Sequence, residues 1–187
     1  MHSATSTAPT RPATVGAVST DDGKRSYVLD QHMRITVLTS GDDTDGRHDL
    51  VRGFAAPGMA TALHAHTRYE ERLFMIAGEL TVWAGEEKAV LGPGDHYTIR
   101  RNVPHMLQAG PAGADTLNIS SPAAFAELVE RTATPERLAG PDTDLDLELF
   151  MRVTTELGDV VLGPPGTTPG SVGNGQRGAA GPIHGAP

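Results

Sequence analysis

Two histidines spaced two apart, His64 and His66, are the residues of this sequence best placed to do chemistry. On a β-strand, side chains alternate between faces, so both imidazoles point to one side and a single strand offers a metal ion two nitrogens. A turn after His66 would bring the next strand back alongside, and Glu71 opens that strand where its carboxylate can meet the pair. A third imidazole comes from His105, after Asn102-Val103-Pro104 and before the apolar Met106 and Leu107. Three neutral imidazoles and a carboxylate suit one divalent ion, Fe, Ni, Mn, Co, Cu or Zn. They leave positions open for substrate or dioxygen when the ion takes five or six ligands. The chain has no cysteine, which excludes disulfides, thiolate catalysis and sulfur-ligated metal sites, so any metal site is built from His and carboxylate. Leu73 and Met75 share the Glu71 face by strand alternation and, with Leu107, form the expected apolar lining of a substrate pocket. Glu70 falls on the opposite face and points away from the ion, as does Arg72. The aromatics Tyr69, Phe74, Trp83 and Tyr97 read as core, and His2, His32, His48, His96 and His184 read as isolated packed or surface histidines.

The elements that must position these groups are short and closely spaced. Runs of β type cover Tyr27 to Leu29, Arg34 to Thr39, Asp49 to Phe54, Ala62 to His66, Leu73 to Ala77, Glu79 to Ala84, Ala89 to Leu91, His96 to Arg100, His105 to Gln108 and Thr116 to Ser120. Turn residues separate them, among them Gly41-Asp42-Asp43, Pro57-Gly58, Gly85-Glu86-Glu87 and Gly92-Pro93-Gly94-Asp95. Many short strands with regular turns indicate an all-β sandwich, jelly roll or barrel. Two helices follow, from about Pro122 to Thr132 and from about Leu145 to Leu157. In the second, Leu149, Phe150, Val153 and Leu157 share a face, Asp142 to Asp144 offer capping side chains, and Gly158 suits the stop. These helices are expected to close one side of the barrel.

A length of 187 residues suits one domain, and no internal repeat suggests a second barrel. Residues 1–24 are rich in Ser, Thr, Ala and Pro and read as a flexible arm; residues 163–187 are denser still in Gly and Pro and read as a disordered tail. That leaves residues 25–162 for the barrel and its helices. The formal charge of −8 and the lack of any basic run longer than Arg100-Arg101 argue against nucleic acid and anionic membrane surfaces as partners. No window approaches the about 20 apolar residues of a membrane span, and the first residues lack the apolar stretch of a secretory signal, so the expected location is the cytoplasm.

The stretch from Gly58 to Gly78 resembles the first motif of the cupin superfamily: Gly, five residues, His-x-His, three or four residues, Glu, six residues, Gly. Every fixed position matches, and only Glu71, not Glu70, leaves six residues before Gly78. The second cupin motif is Gly, five residues, Pro-x-Gly-x-x-His, three residues, Asn. Gly94 and His105 match it, whereas Arg100, Asn102 and Ala109 stand where the family has Pro, Gly and Asn. Asn tolerates left-handed turn geometry, so the turn can survive the change. The segments ITVLTSGDDTDGRHDLVRGFAAPG, GELTVWAGEEKAVLGPGDHYTI and TELGDVVLGPP are similar to single-domain cupins of the quercetin 2,3-dioxygenase-like group.

The resemblance covers about residues 27–165 and implies a double-stranded β-helix, the jelly-roll barrel, with two C-terminal helices. It further implies a dioxygenase for an aromatic enol or phenol such as a flavonol or polyketide, with His64, His66, Glu71 and His105 as metal ligands. Glu71 would also serve as general base, its pKa raised against an apolar wall. Two other classes remain open: a non-redox cyclase, isomerase or decarboxylase of secondary metabolism that uses the ion as a Lewis acid, and a non-catalytic small-molecule binder. A homodimer is expected from the exposed edges of a small barrel and from what cupins generally do.

Overall fold

The computed structural model describes residues 25–173. Strands β1 (Ser26–Asp30), β2 (Met33–Thr39), β3 (Asp49–Ala55) and β4 (Ala62–His66) come first, followed by a long β5 (Glu70–Ala84), β6 (Glu87–Leu91), β7 (His96–Ile99) and a long β8 (His105–Ser121). Helix α1 (Phe125–Thr132), a two-residue β9 (Thr134–Pro135), helix α2 (Leu147–Leu157), β10 (Asp159–Pro165) and a short α3 (Pro169–Gly173) complete the order. Hydrogen bonding runs β10-β4-β8-β3-β2-β1-β9, while β5 joins β8 to β6 and β7, all as antiparallel pairs. The result is a jelly-roll barrel with C-terminal helices. No helix among the described residues is long and apolar enough to cross a membrane.

The two long strands are where the structure departs most from the sequence expectation. The sequence reads 73–77 and 79–84 as two strands, and 105–108 and 116–120 as two more. Each pair is instead one strand, and the two pair with each other from Glu70↔Ser121 to Ala84↔His105. Glycines let the strands bend without ending. Gly78 (φ +78°) and Gly113 (φ +81°) both adopt left-handed geometry at the crossing, where a Cβ on Gly78 would sit 2.2 Å from the Gly113 carbonyl oxygen. Register shifts flank this point, so it is a bulged bend rather than a turn.

The interior packs in two groups, one around Leu73, Met75, Leu80, Val82 and Ile99, the other around Ile35, Val37, Val51 and Val129 beneath α1. Helix α1 begins at Phe125, not Pro122, because the buried Asp49 carboxylate accepts the amides of Ser120 (3.2 Å), Ala124 (2.8 Å) and Ala126 (3.0 Å) and fixes where the turn starts. Burial nevertheless raises the Asp49 pKa against these donors. Helix α2 is capped by Asp146, which accepts the Leu149 amide at 2.9 Å, so the capping expected of Asp142 to Asp144 falls to a later aspartate. Gly158 (φ +88°) ends α2 as expected.

The expected tail boundary also shifts. Gly163–Pro165 belong to β10, which pairs with β4 from Asp159↔His66 to Pro165↔Ala62. Among the described residues β10 pairs on one side only, where strands tolerate proline, and register shifts accompany the approach to Pro164 and Pro165. The arm at 1–24 and the tail from residue 174 onward lie outside the described residues.

Candidate metal centre

Strand β4 turns His64 and His66 inward, the next strand turns Glu71 inward, and His105 opens β8 directly opposite His64. The ligand atoms of His64, His66 and His105 lie within 4.8 Å of one another. Glu71 Oε2 joins them at 3.2 Å from His66 Nε2 and 3.4 Å from His105 Nε2. All four sequence candidates therefore meet at one point. The left-handed turn before His105 is made by Asn102 (φ 62°), whose amide donates to the His66 carbonyl at 2.7 Å and ties that turn to β4.

Each imidazole is oriented by its outer nitrogen. His64 Nδ1 contacts the Ala62 carbonyl at 2.8 Å and His105 Nδ1 the Val103 carbonyl at 2.9 Å, while His66 Nδ1 contacts Asp159 Oδ1 at 2.8 Å. These oxygens only accept, so each Nδ1 carries the proton and directs Nε2 toward the centre. His105 Nε2 is fully buried and has no hydrogen-bond partner among the described residues. Three inward nitrogens, one of them orphaned, and a carboxylate oxygen form a donor set that fits one divalent ion.

Burial and mutual contact shift His64, His66 and Glu71 in different directions. Burial lowers the His64 pKa, and the neighbouring His105 and His66 rings carry it further, to about 4. Burial also opposes charge on His66, but hydrogen bonds to Asp159 and Glu71 overcome it and raise its pKa to about 9. For Glu71, burial favours the neutral acid, yet the His105 and His66 rings hold it well below the usual carboxylate range. This reverses the expected rise of the Glu71 pKa. The expectation weighed the apolar wall and left out the charge of the imidazoles it had itself placed beside Glu71.

Above the centre lies a cavity of about 470 Å³. His64, His66, Tyr69, Glu71, Asn118 and Asp159 line one end, and apolar residues form most of the remaining wall. Leu73 and Leu107 line it. Met75 does not: it keeps the inward face it shares with Glu71 and Leu73 but is fully buried in the core. Helix α2 and the segment before it cover the cavity with Leu145, Leu147, Phe150 and Met151. Glu70 points outward and pairs with Arg72 at 2.7 Å.

Three further residues escape the sequence reading. Asp159 binds His66 and also accepts from Tyr69 Oη at 3.1 Å. Tyr69, read as core, is buried but faces the cavity and stacks on His66 with ring centroids 4.2 Å apart. Burial and the Asp159 charge raise its pKa well above the ordinary value, keeping it a donor. Asn118 Nδ2 donates to Glu71 Oε1. The available signal for Asn118 was alternation in Thr116-Leu-Asn-Ile-Ser120, where the polar residues share one face of a strand. For Asp159 it was a carboxylate heading a Val-Val run just past a helix stop.

Residues 54–114 match the family described as "Cupin domain". No curated protein sequence matches the chain. Among solved structures the fold is similar to KdgF from Halomonas sp., at 16% identity and a TM-score of 0.52, over 59% of this chain and 96% of that one. It is similar to a variant of oxalate decarboxylase from Bacillus subtilis, at 23% identity and a TM-score of 0.50, over 60% of this chain and 32% of that one. Ectoine synthase from P. lautus is similar at 18% identity and a TM-score of 0.50, over 79% of this chain and 86% of that one. The matched domain, the jelly-roll barrel and these neighbours together place the fold of this chain among the cupins and support the cupin superfamily.

Proposed function

We propose that this protein is a metal-dependent dioxygenase acting on an aromatic enol or phenol, such as a flavonol or polyketide, at an ion held by His64, His66, Glu71 and His105. The observation that carries the reading is the placement of that donor set at the polar end of an otherwise apolar cavity of about 470 Å³. Such a cavity suits a flat, mainly apolar ligand that presents one oxygen-rich edge. A bound ion of this class lowers the pKa of a coordinated hydroxyl and, if redox-active, brings dioxygen and substrate together.

The chain's own residues supply the rest. Glu71 Oε2 is the carboxylate oxygen at the centre and accepts the proton that the substrate hydroxyl loses. Asn118 holds Oε1, so the carboxylate cannot rotate away from that proton. Leu73, Leu107 and Phe150 exclude water from the ring. The same proton-accepting arrangement would serve a non-redox isomerase, cyclase or decarboxylase, and the names of the ectoine synthase and oxalate decarboxylase neighbours are consistent with that second reading.

The first test is metal content by mass spectrometry on protein purified without chelators or nickel resin, followed by oxygen uptake with a panel of phenols. His64→Ala or His105→Ala is expected to lose most of the metal while the barrel still folds; full occupancy in both would remove the site. Glu71→Gln is expected to keep part of the metal and lose about 100-fold or more in turnover. Unchanged turnover in that variant rules out its role as base, and product formation without oxygen uptake moves the assignment to the non-redox class.

A further inference from the structure

Polar groups facing the cavity are few, and one of the best buried is only half used. Asn118 is 7% exposed and lies on β8 opposite Leu73 and Val51. Its Nδ2 must face Glu71, because an ionised carboxylate offers only acceptors. That fixes the amide and leaves Oδ1 as the free end. Oδ1 is buried and has no hydrogen-bond partner among the described residues, although Asn118 lines the cavity. A buried acceptor without a donor is costly, and it stays economical only if something that occupies the cavity supplies one.

We propose that Asn118 is a specificity-determining residue that touches the ligand: Oδ1 accepts a hydrogen bond from a hydroxyl or N–H on the atom beside the ligand's metal-bound oxygen. The inference rests on the metal centre proposed above and goes further by naming the ligand class, molecules with two adjacent oxygen or nitrogen functions of which one keeps its hydrogen. Catechols, enediols and α-hydroxy carbonyl compounds belong to it; simple phenols and ethers do not. The amide links both halves of recognition. Its nitrogen end holds Glu71 ready for the proton that leaves, and its oxygen end reads the hydrogen that stays. A site built to bond a ligand hydrogen discriminates strongly against the analogue that lacks it, because the acceptor is then left dry.

The test is isothermal titration of the full-length, cobalt-loaded protein under nitrogen with catechol and with guaiacol, its monomethyl ether. Catechol also gains from chelation, so the quantity read is the guaiacol-to-catechol Kd ratio in wild type divided by the same ratio in Asn118→Leu. Chelation contributes to both and cancels. The expected quotient is tenfold or more, over and above any weakening that both probes share when Glu71 loses its Asn118 partner. If Asn118 only positions Glu71, both probes weaken together, the quotient stays near one and the proposal is overturned. Asn118→Ala, checked by circular dichroism, gives the same comparison if the leucine variant does not fold. Failure of the wild type to bind either probe also overturns the proposal, while cobalt stoichiometry in the same samples reports separately on the metal centre. Oxygen uptake is not read, so the oxygenase assignment stands or falls independently.

Discussion

Asp159 divides its two oxygens between His66 Nδ1 and Tyr69 Oη and is 6% exposed, so both bonds lie largely out of bulk water. A carboxylate in this position fixes the tautomer of a ligating imidazole and increases its basicity. Asp159→Asn is therefore expected to lower metal affinity by about 10–100-fold, measured by competition against a chelator of known affinity. Wild-type affinity in that variant would show that Asp159 does nothing for the ion. Tyr69→Phe removes only the hydroxyl at the far side of Asp159 and should cost less. At this scale the grouping of the candidate ligands was legible because its constraint is largely local: His64 and His66 share a strand face, and Glu71 follows five residues after His66. Asp159 lies 93 residues from His66, and nothing local marks the pairing. The direction of the Glu71 shift was misjudged by weighing the apolar wall alone: the imidazoles of His105 and His66, already expected beside it, outweigh burial.

Strands β5 and β8 are the elements on which the site depends, since one carries Glu71 and the other carries both His105 and Asn118. Their tight crossing demands glycine twice over at position 78, through its positive φ and through the 2.2 Å approach to the Gly113 carbonyl. Gly78→Ala must either break the crossing or separate the strands, and is expected to destabilise the fold by about 3 kcal/mol or more. Urea unfolding reads this directly, and a loss below about 1 kcal/mol would mean that the crossing relaxes at little cost. The sequence showed glycines at these places but not whether they end a strand or bend it. A turn and a bulge use the same residue for the same reason, and only the pairing partner tells them apart. The helices were more legible, because their apolar spacing and the Gly158 stop are properties of the segment alone. Their starting residues were not, since Asp49 in β3 sets one of them.

Across the whole molecule, β8 inverts the usual arrangement: Asn118 and Ser120 face inward, while Leu117 and Ile119 lie on the less buried outer side. Among the described residues, the buried ionisable groups gather at the candidate metal centre and at the Asp49 anchor of α1. An ion bound at that point joins β4, β5 and β8, and through Asp159 it also engages the C-terminal strand. At a hundredfold excess over its Kd, an ion bound only by the folded state adds about 2.7 kcal/mol, which raises the Tm of a domain this size by roughly 5–10 °C. Scanning calorimetry with and without a chelator checks this, and the shift should vanish in His64→Ala. If that variant keeps the full shift, the ion acts elsewhere. The late position of β10 also has a consequence for timing. During synthesis all four ligands leave the ribosome before Asp159 does. Until then His66 lacks the carboxylate that fixes its ring, and the unfinished chain offers a looser, less discriminating set of donors. Any metal discrimination that depends on Asp159 therefore waits until the strand after α2 has been made and paired with β4.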